Sequence, residues 1–154
     1  MKKINLLLFM LPIAFFTSCG SIKSTLKNVD NAAVKPRIVN NQFILAETAS
    51  DEKFGFDKDY PINLGFENEK YSTRNIPLFF NAIEGPNGEK ISYTKVDSCC
   101  PFPTKKSIMG AGTLEIYKIT FDESNTSVLL YLNIYEKGRI LCPKGFRIKK
   151  IATP

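Results

Sequence analysis

Two neighbouring segments constrain this chain more than anything else in it. Thr113 to Phe121 and Ser127 to Tyr135 are dense in aliphatic, aromatic and β-branched residues, and a polar loop from Asp122 to Thr126 joins them. Two strand-like runs with a short polar connection read as an antiparallel hairpin. In the second run Val128, Leu130, Leu132 and Ile134 share one face, while Leu129, Tyr131 and Tyr135 share the other. A strand apolar on both faces belongs inside a sheet that is covered twice. Whatever else the chain does, it must bury a sheet interior around residues 113–135.

The remaining elements fit round that hairpin. Gln42 to Glu47 is expected as a first strand, followed by short extended pieces at Phe54-Gly55-Phe56 and Tyr60 to Gly65. Asn75-Ile76-Pro77 has the pattern of a helix start, with Asn75 as cap and Pro77 in the first turn, where a missing N–H costs nothing. Gly85-Pro86 supplies a stop. Lys90 to Asp97 alternates like a strand, and Gly145 to Ile148 adds a last edge strand. The fold class expected is α+β: a small antiparallel sheet of about five strands with one short helix packed on a face.

The N-terminus sets the other boundary. Lys2 and Lys3 precede an apolar run from Ile4 to Phe16, and Thr17-Ser18-Cys19 follows. A charged start, an apolar stretch and small residues, in that order, make an export signal. At about 13 residues the stretch is shorter than the roughly 20 a spanning helix needs. Phe16-Thr17-Ser18-Cys19 resembles the lipobox of bacterial lipoproteins, which implies that Cys19 receives the lipid and becomes the mature N-terminus. Gly20 after it, rather than Asp, implies the outer membrane by resemblance to sorted lipoproteins. The organisation expected is a signal at 1–18, a flexible tether at 19–41 with no periodicity, and one globular domain at 42–154. Removing residues 1–18 from the 154 leaves 136, enough for a single domain.

Composition then excludes whole classes of chemistry. The chain has no histidine, which removes Ser-His-Asp and Cys-His catalysis and every zinc site that needs imidazole. The formal charge of +6 drops to +4 without Lys2 and Lys3. That mild, scattered excess reads first as a solvated surface that keeps the domain soluble and second as an attraction to anionic membrane or glycan surfaces, and export removes nucleic acid as a partner. No cofactor or metal is expected.

Three cysteines follow Cys19: the adjacent pair Cys99 and Cys100, and Cys142. An oxidising compartment favours a disulfide. Neighbouring cysteines close only a strained ring, so Cys142 is expected to pair with Cys99 or Cys100. The loop closed, about 40 residues, would contribute roughly 3 to 4 kcal/mol. The alternatives are thiol exchange or soft-metal capture at Cys99 and Cys100, or three buried thiols with no bridge. Asp97, Glu115 and Asp122 flank strands where paired carboxylates could act as acid and base, although no spacing selects a pair. Gly110-Ala111-Gly112 precedes a strand, which makes it a bend rather than a phosphate cradle.

Gly85-Pro86-Asn87-Gly88-Glu89 and Ser98-Cys99-Cys100-Pro101-Phe102, with Phe54-Gly55-Phe56, Tyr60-Pro61-Ile62 and Gly145-Phe146, resemble a family of small uncharacterised bacterial lipoproteins over about residues 45–147. Some members carry the label 2-dehydro-3-deoxyphosphooctonate aldolase. That aldolase is a (β/α)₈ barrel, a fold of about 250 residues, which 136 residues cannot build. The resemblance implies no established activity.

The function expected is therefore a membrane-anchored, non-catalytic envelope lipoprotein, a binding or structural module of unknown partner, with an envelope protein or a glycan as the candidate partner. Its alternative is a thiol-redox or soft-metal protein using Cys99 and Cys100.

Overall fold

The computed structural model describes residues 23–68, 73–122 and 126–151. The expected signal, Cys19 and the tip of the 122–126 loop lie outside them.

The hairpin is the spine of the molecule. β5 (Ile91–Pro103), β6 (Ala111–Phe121) and β7 (Ser127–Asn133) form a continuous antiparallel meander, and β3 (Ile62–Asn63) joins β7 in parallel, giving the order β3-β7-β6-β5. Two further pairs are separate ladders: β1 (Ile38–Val39) with β2 (Gln42–Phe43), and β4 (Ile83–Glu84) with β8 (Arg147–Ile148). Among the described residues the molecule is mostly β with one short helix, as expected in outline. The single sheet of about five strands is corrected, over those residues, to one sheet of four and two ladders of two. β7 is interior, yet its second face is only partly covered, with Leu129 47 % exposed.

β5 runs further than the alternation indicated, through Pro101 and Pro103. It is the edge strand, so a proline lacking N–H interrupts no ladder on its outer side. Two register shifts, one between Lys95 and Asp97 and one between Cys99 and Phe102, bend it.

Helix α1 (Asn75–Phe80) is shorter than the sequence suggested. Gly85-Pro86 does not end it. Ile83 and Glu84 leave the helix because Ile148 and Arg147 offer them a ladder. Asn75 is no cap either: it is buried, and its side-chain amide donates to the Leu64 carbonyl (2.8 Å). Ile76, Phe79 and Phe80 form the buried face, and Phe80 stacks on Tyr93 of β5 with ring centroids 4.1 Å apart. The helix thereby closes one side of a core built from Phe43, Ile62, Leu64, Ile119, Leu130 and Leu132.

The N-terminal segment departs most from expectation. From Lys27 onward it is part of the folded body rather than a loose tether. Lys27 N–H donates to the Asp59 carbonyl and Asp30 N–H to the Lys137 carbonyl, both at 2.8 Å. The Asn28 amide donates to the Pro61 carbonyl (2.7 Å) and accepts from Asn63 (3.0 Å), whose own Oδ1 accepts from Asn133 (2.8 Å). A chain of three amides thus stitches residue 28 to the centre of the sheet.

Candidate functional site

Two clefts share the lysines of the loop between β5 and β6. The first, of about 620 Å³, lies between Lys105 and Lys106 on one side and Lys23, Ser24 and Asn31 on the other, with Glu136 among its lining. The second, of about 430 Å³, is lined by the same two lysines, Lys137, Glu67 and Phe66.

The loop is held by its own hydrogen bonds. Thr104 N–H donates to the Gly110 carbonyl and Gly110 N–H to the Ser107 carbonyl, both at 3.0 Å. The Thr104 hydroxyl donates to Glu136 Oε1 (2.6 Å) and accepts from Lys106 N–H (3.0 Å). One buried threonine therefore ties the loop to a buried carboxylate, while the Lys105 and Lys106 side chains stay exposed with no ion-pair partner among the described residues.

Each cleft has one carboxylate among its described lining residues. Glu136 accepts from Thr104, and Glu67 binds Lys35, whose hydrogen bond and charge hold that carboxyl below its ordinary range. The chemistry such clefts offer is electrostatic: ammonium groups and amides that can hold phosphate or carboxylate groups.

The residues singled out from sequence are dispersed. Asp97 is exposed and accepts from the N–H of Ser98. Glu115 is buried, with Lys95 at 2.8 Å and the Tyr117 hydroxyl at 3.1 Å. Burial, together with that carboxylate, pushes the Tyr117 phenol well above the usual tyrosine range. Asp97 faces Ile116 and Glu115 faces Ser98 across the ladder, so the two carboxylates leave opposite faces of the sheet. Asp122 ends β6 with its N–H on the Lys90 carbonyl. No acid–base pair is assembled from these three.

The cysteines also differ from expectation. Cys142 is fully buried in the core, free, and bridged through its backbone to Thr48. The expected pairing with Cys99 or Cys100 is not the arrangement found, because Arg139 to Cys142 run beside Glu47 to Ala49 and place Cys142 in the interior. The sulfurs of Cys99 and Cys100 instead touch each other, at the β5 bulge where Cys100 has φ of 57°. Burial pushes the Cys142 thiol up to about 11.

Gly85-Pro86-Asn87-Gly88-Glu89 is a closed turn. Gly85 N–H donates to the Glu89 carbonyl (2.8 Å), and the Glu89 carboxylate accepts from the Asn87 N–H (2.8 Å) and side-chain amide (2.7 Å). Those bonds hold the Glu89 carboxyl below its usual range, so the motif is accounted for by its own geometry.

Lys105, Lys106, Glu136 and the loop tip Ile108-Met109 were not singled out from the sequence. The available signal was two apolar residues stranded in a loop, one serine after two lysines, outside any period of two or 3.6. Compared with models of known families, with curated proteins and with solved structures, the chain finds no match.

Proposed function

We propose that the chain is a lipid-anchored, non-catalytic module of the bacterial cell envelope, held at the outer membrane through Cys19 and binding an anionic glycan or an envelope protein at its lysine-lined clefts. The observation that carries this reading is the run Phe16-Thr17-Ser18-Cys19, whose cysteine is only eight residues ahead of Lys27, the first among the described residues with a backbone bond to the sheet-bearing part. Eight extended residues reach no further than about 29 Å, so an acylated Cys19 keeps the domain close to the bilayer. The absence of histidine from the chain and the single carboxylate in the described lining of each cleft support binding over catalysis.

Cys19→Ala tests the anchor. After a high-salt wash the parent should stay with the membrane fraction and the variant should appear in the soluble fraction. A variant processed and fractionated like the parent sinks the proposal. A second reading, thiol exchange at Cys99 and Cys100, is favoured by the contact between their sulfurs and by their half-buried position on an edge strand. Counting reactive thiols in the folded protein before and after reductant decides it: a gain of two, with Cys142 silent in both, supports a reducible pair.

A further inference from the structure

A single exposed apolar side chain on a soluble protein needs no explanation. Two adjacent ones at the tip of an ordered loop do. Ile108 and Met109 are 97 % and 90 % exposed, more than any other large apolar side chain among the described residues. The loop that presents them is not a loose excursion. The Thr104–Gly110 and Gly110–Ser107 backbone bonds close it, Met109 N–H donates to Ser107 Oγ (3.3 Å), and Thr104 ties it to Glu136. Its conformation holds two hydrophobic side chains in water, and the same loop carries Lys105 and Lys106, exposed and with no ion-pair partner among the described residues.

The position of this loop indicates what covers it. Lys105 and Lys106 face Lys23 and Ser24 across the first cleft. Lys23 is four residues after Cys19, which limits the separation of their Cα atoms to about 14 Å. The apolar tip, three lysines and the point where the chain leaves toward its lipid thus lie in one region of the surface. Apolar side chains backed by cations match the boundary of an anionic bilayer, where hydrocarbon lies just below a layer of phosphate.

We propose that the Lys105–Met109 loop is a second membrane contact, with Ile108 and Met109 entering the interfacial layer of an anionic phospholipid bilayer and Lys105, Lys106 and Lys23 meeting its phosphates. The choice of a membrane as occupant rests on the lipid-anchor reading above. Together the two contacts fix the orientation of the domain and bring the Glu136 cleft to headgroup level.

The test uses a chain beginning at Gly20, which contains every described residue and no acyl group, so its outcome is separate from the Cys19 fractionation. It is sedimented with vesicles of equimolar phosphatidylglycerol and phosphatidylcholine, and with phosphatidylcholine alone. Salt-sensitive binding to the anionic vesicles is expected, with neutral vesicles at least tenfold weaker, at roughly fivefold per lysine. Ile108→Ser with Met109→Ser, and separately Lys105→Ala with Lys106→Ala, should each weaken it about tenfold or more, their melting unchanged because these side chains are exposed. The chain has no tryptophan, so Ile108→Trp supplies a single reporter whose emission should shift to the blue on adding anionic vesicles. No binding to either vesicle, equal binding to both, binding indifferent to either double variant, or an unshifted tryptophan on bound protein would each overturn the proposal.

Discussion

Cys142 shows how one side chain can be chemically silenced by its position. It lies in the core beside Ala49 and Ile140 in sequence-distant segments that pair through Thr48, and burial raises its pKa from 9.0 to about 11. A raised pKa means that the folded state holds the proton more tightly than the unfolded one. The associated stability is fully present below pH 9 and is lost as pH rises through about 11, by about 2 kcal/mol at that point. Urea unfolding at a series of pH values should therefore show a steeper alkaline decline in the parent than in Cys142→Ala. The variant should also be less stable at pH 7, by about 1 kcal/mol for the vacated volume. Parallel alkaline slopes in the two proteins would show that Cys142 does not titrate this way. The same burial explains why counting cysteines gave Cys142 a partner it does not have: composition reports that a thiol exists, and only its pairing with residues 47–49 reports that it faces the interior.

At the scale of elements, legibility followed the kind of force that makes each one. β6 and β7 were readable because side-chain burial drives them, and burial leaves an alternating pattern. The end of α1 was not readable, since Gly85-Pro86 is a stronger local stop than anything at Asn81, and the ladder between Ile83 and Ile148 is a contact across 65 positions. The loop 104–110 was missed because its order comes from a threonine hydroxyl and backbone bonds, which impose no periodicity. Gly65 was visible in sequence but not its reason. Its N–H donates to the Glu136 carbonyl (2.9 Å), and a Cβ there would stand 2.2 Å from the backbone of Tyr135. Backbone cannot step aside as a flexible side chain can. Gly65→Ala should therefore cost about 2 to 3 kcal/mol in denaturant unfolding. Because Glu136 also receives Thr104, the substitution should loosen the 104–110 loop, seen as faster amide exchange at Gly110. A stability within about 0.5 kcal/mol of the parent would show that the approach of Gly65 to residues 135–136 relaxes freely.

For the molecule as a whole, the question is where the folded unit begins. Sequence periodicity placed that point at residue 42, because residues 20–41 have no repeating apolar face. What attaches them is of another kind: backbone bonds at Lys27 and Asp30, the amide chain from Asn28 through Asn63 to Asn133, and the β1–β2 ladder with Ile38 opposite Phe43. Starting the chain at Asn41 removes all of these and leaves the buried Asn63 side-chain amide without the Asn28 oxygens it donates to. Leaving a buried donor unmet costs about 1 to 3 kcal/mol, so the shortened chain should melt roughly 5 to 15 °C below one beginning at Gly20. Asn28→Ala in the longer chain should reproduce a part of that loss, which separates the amide chain from the strand pairing. Equal melting temperatures for the two lengths would return residues 23–40 to the role of a tether, and with it the region of surface that brings Lys23 beside Lys105 and Lys106. The length that folds and the surface that meets the membrane are thus tied to the same segment, and one pair of melting curves bears on both.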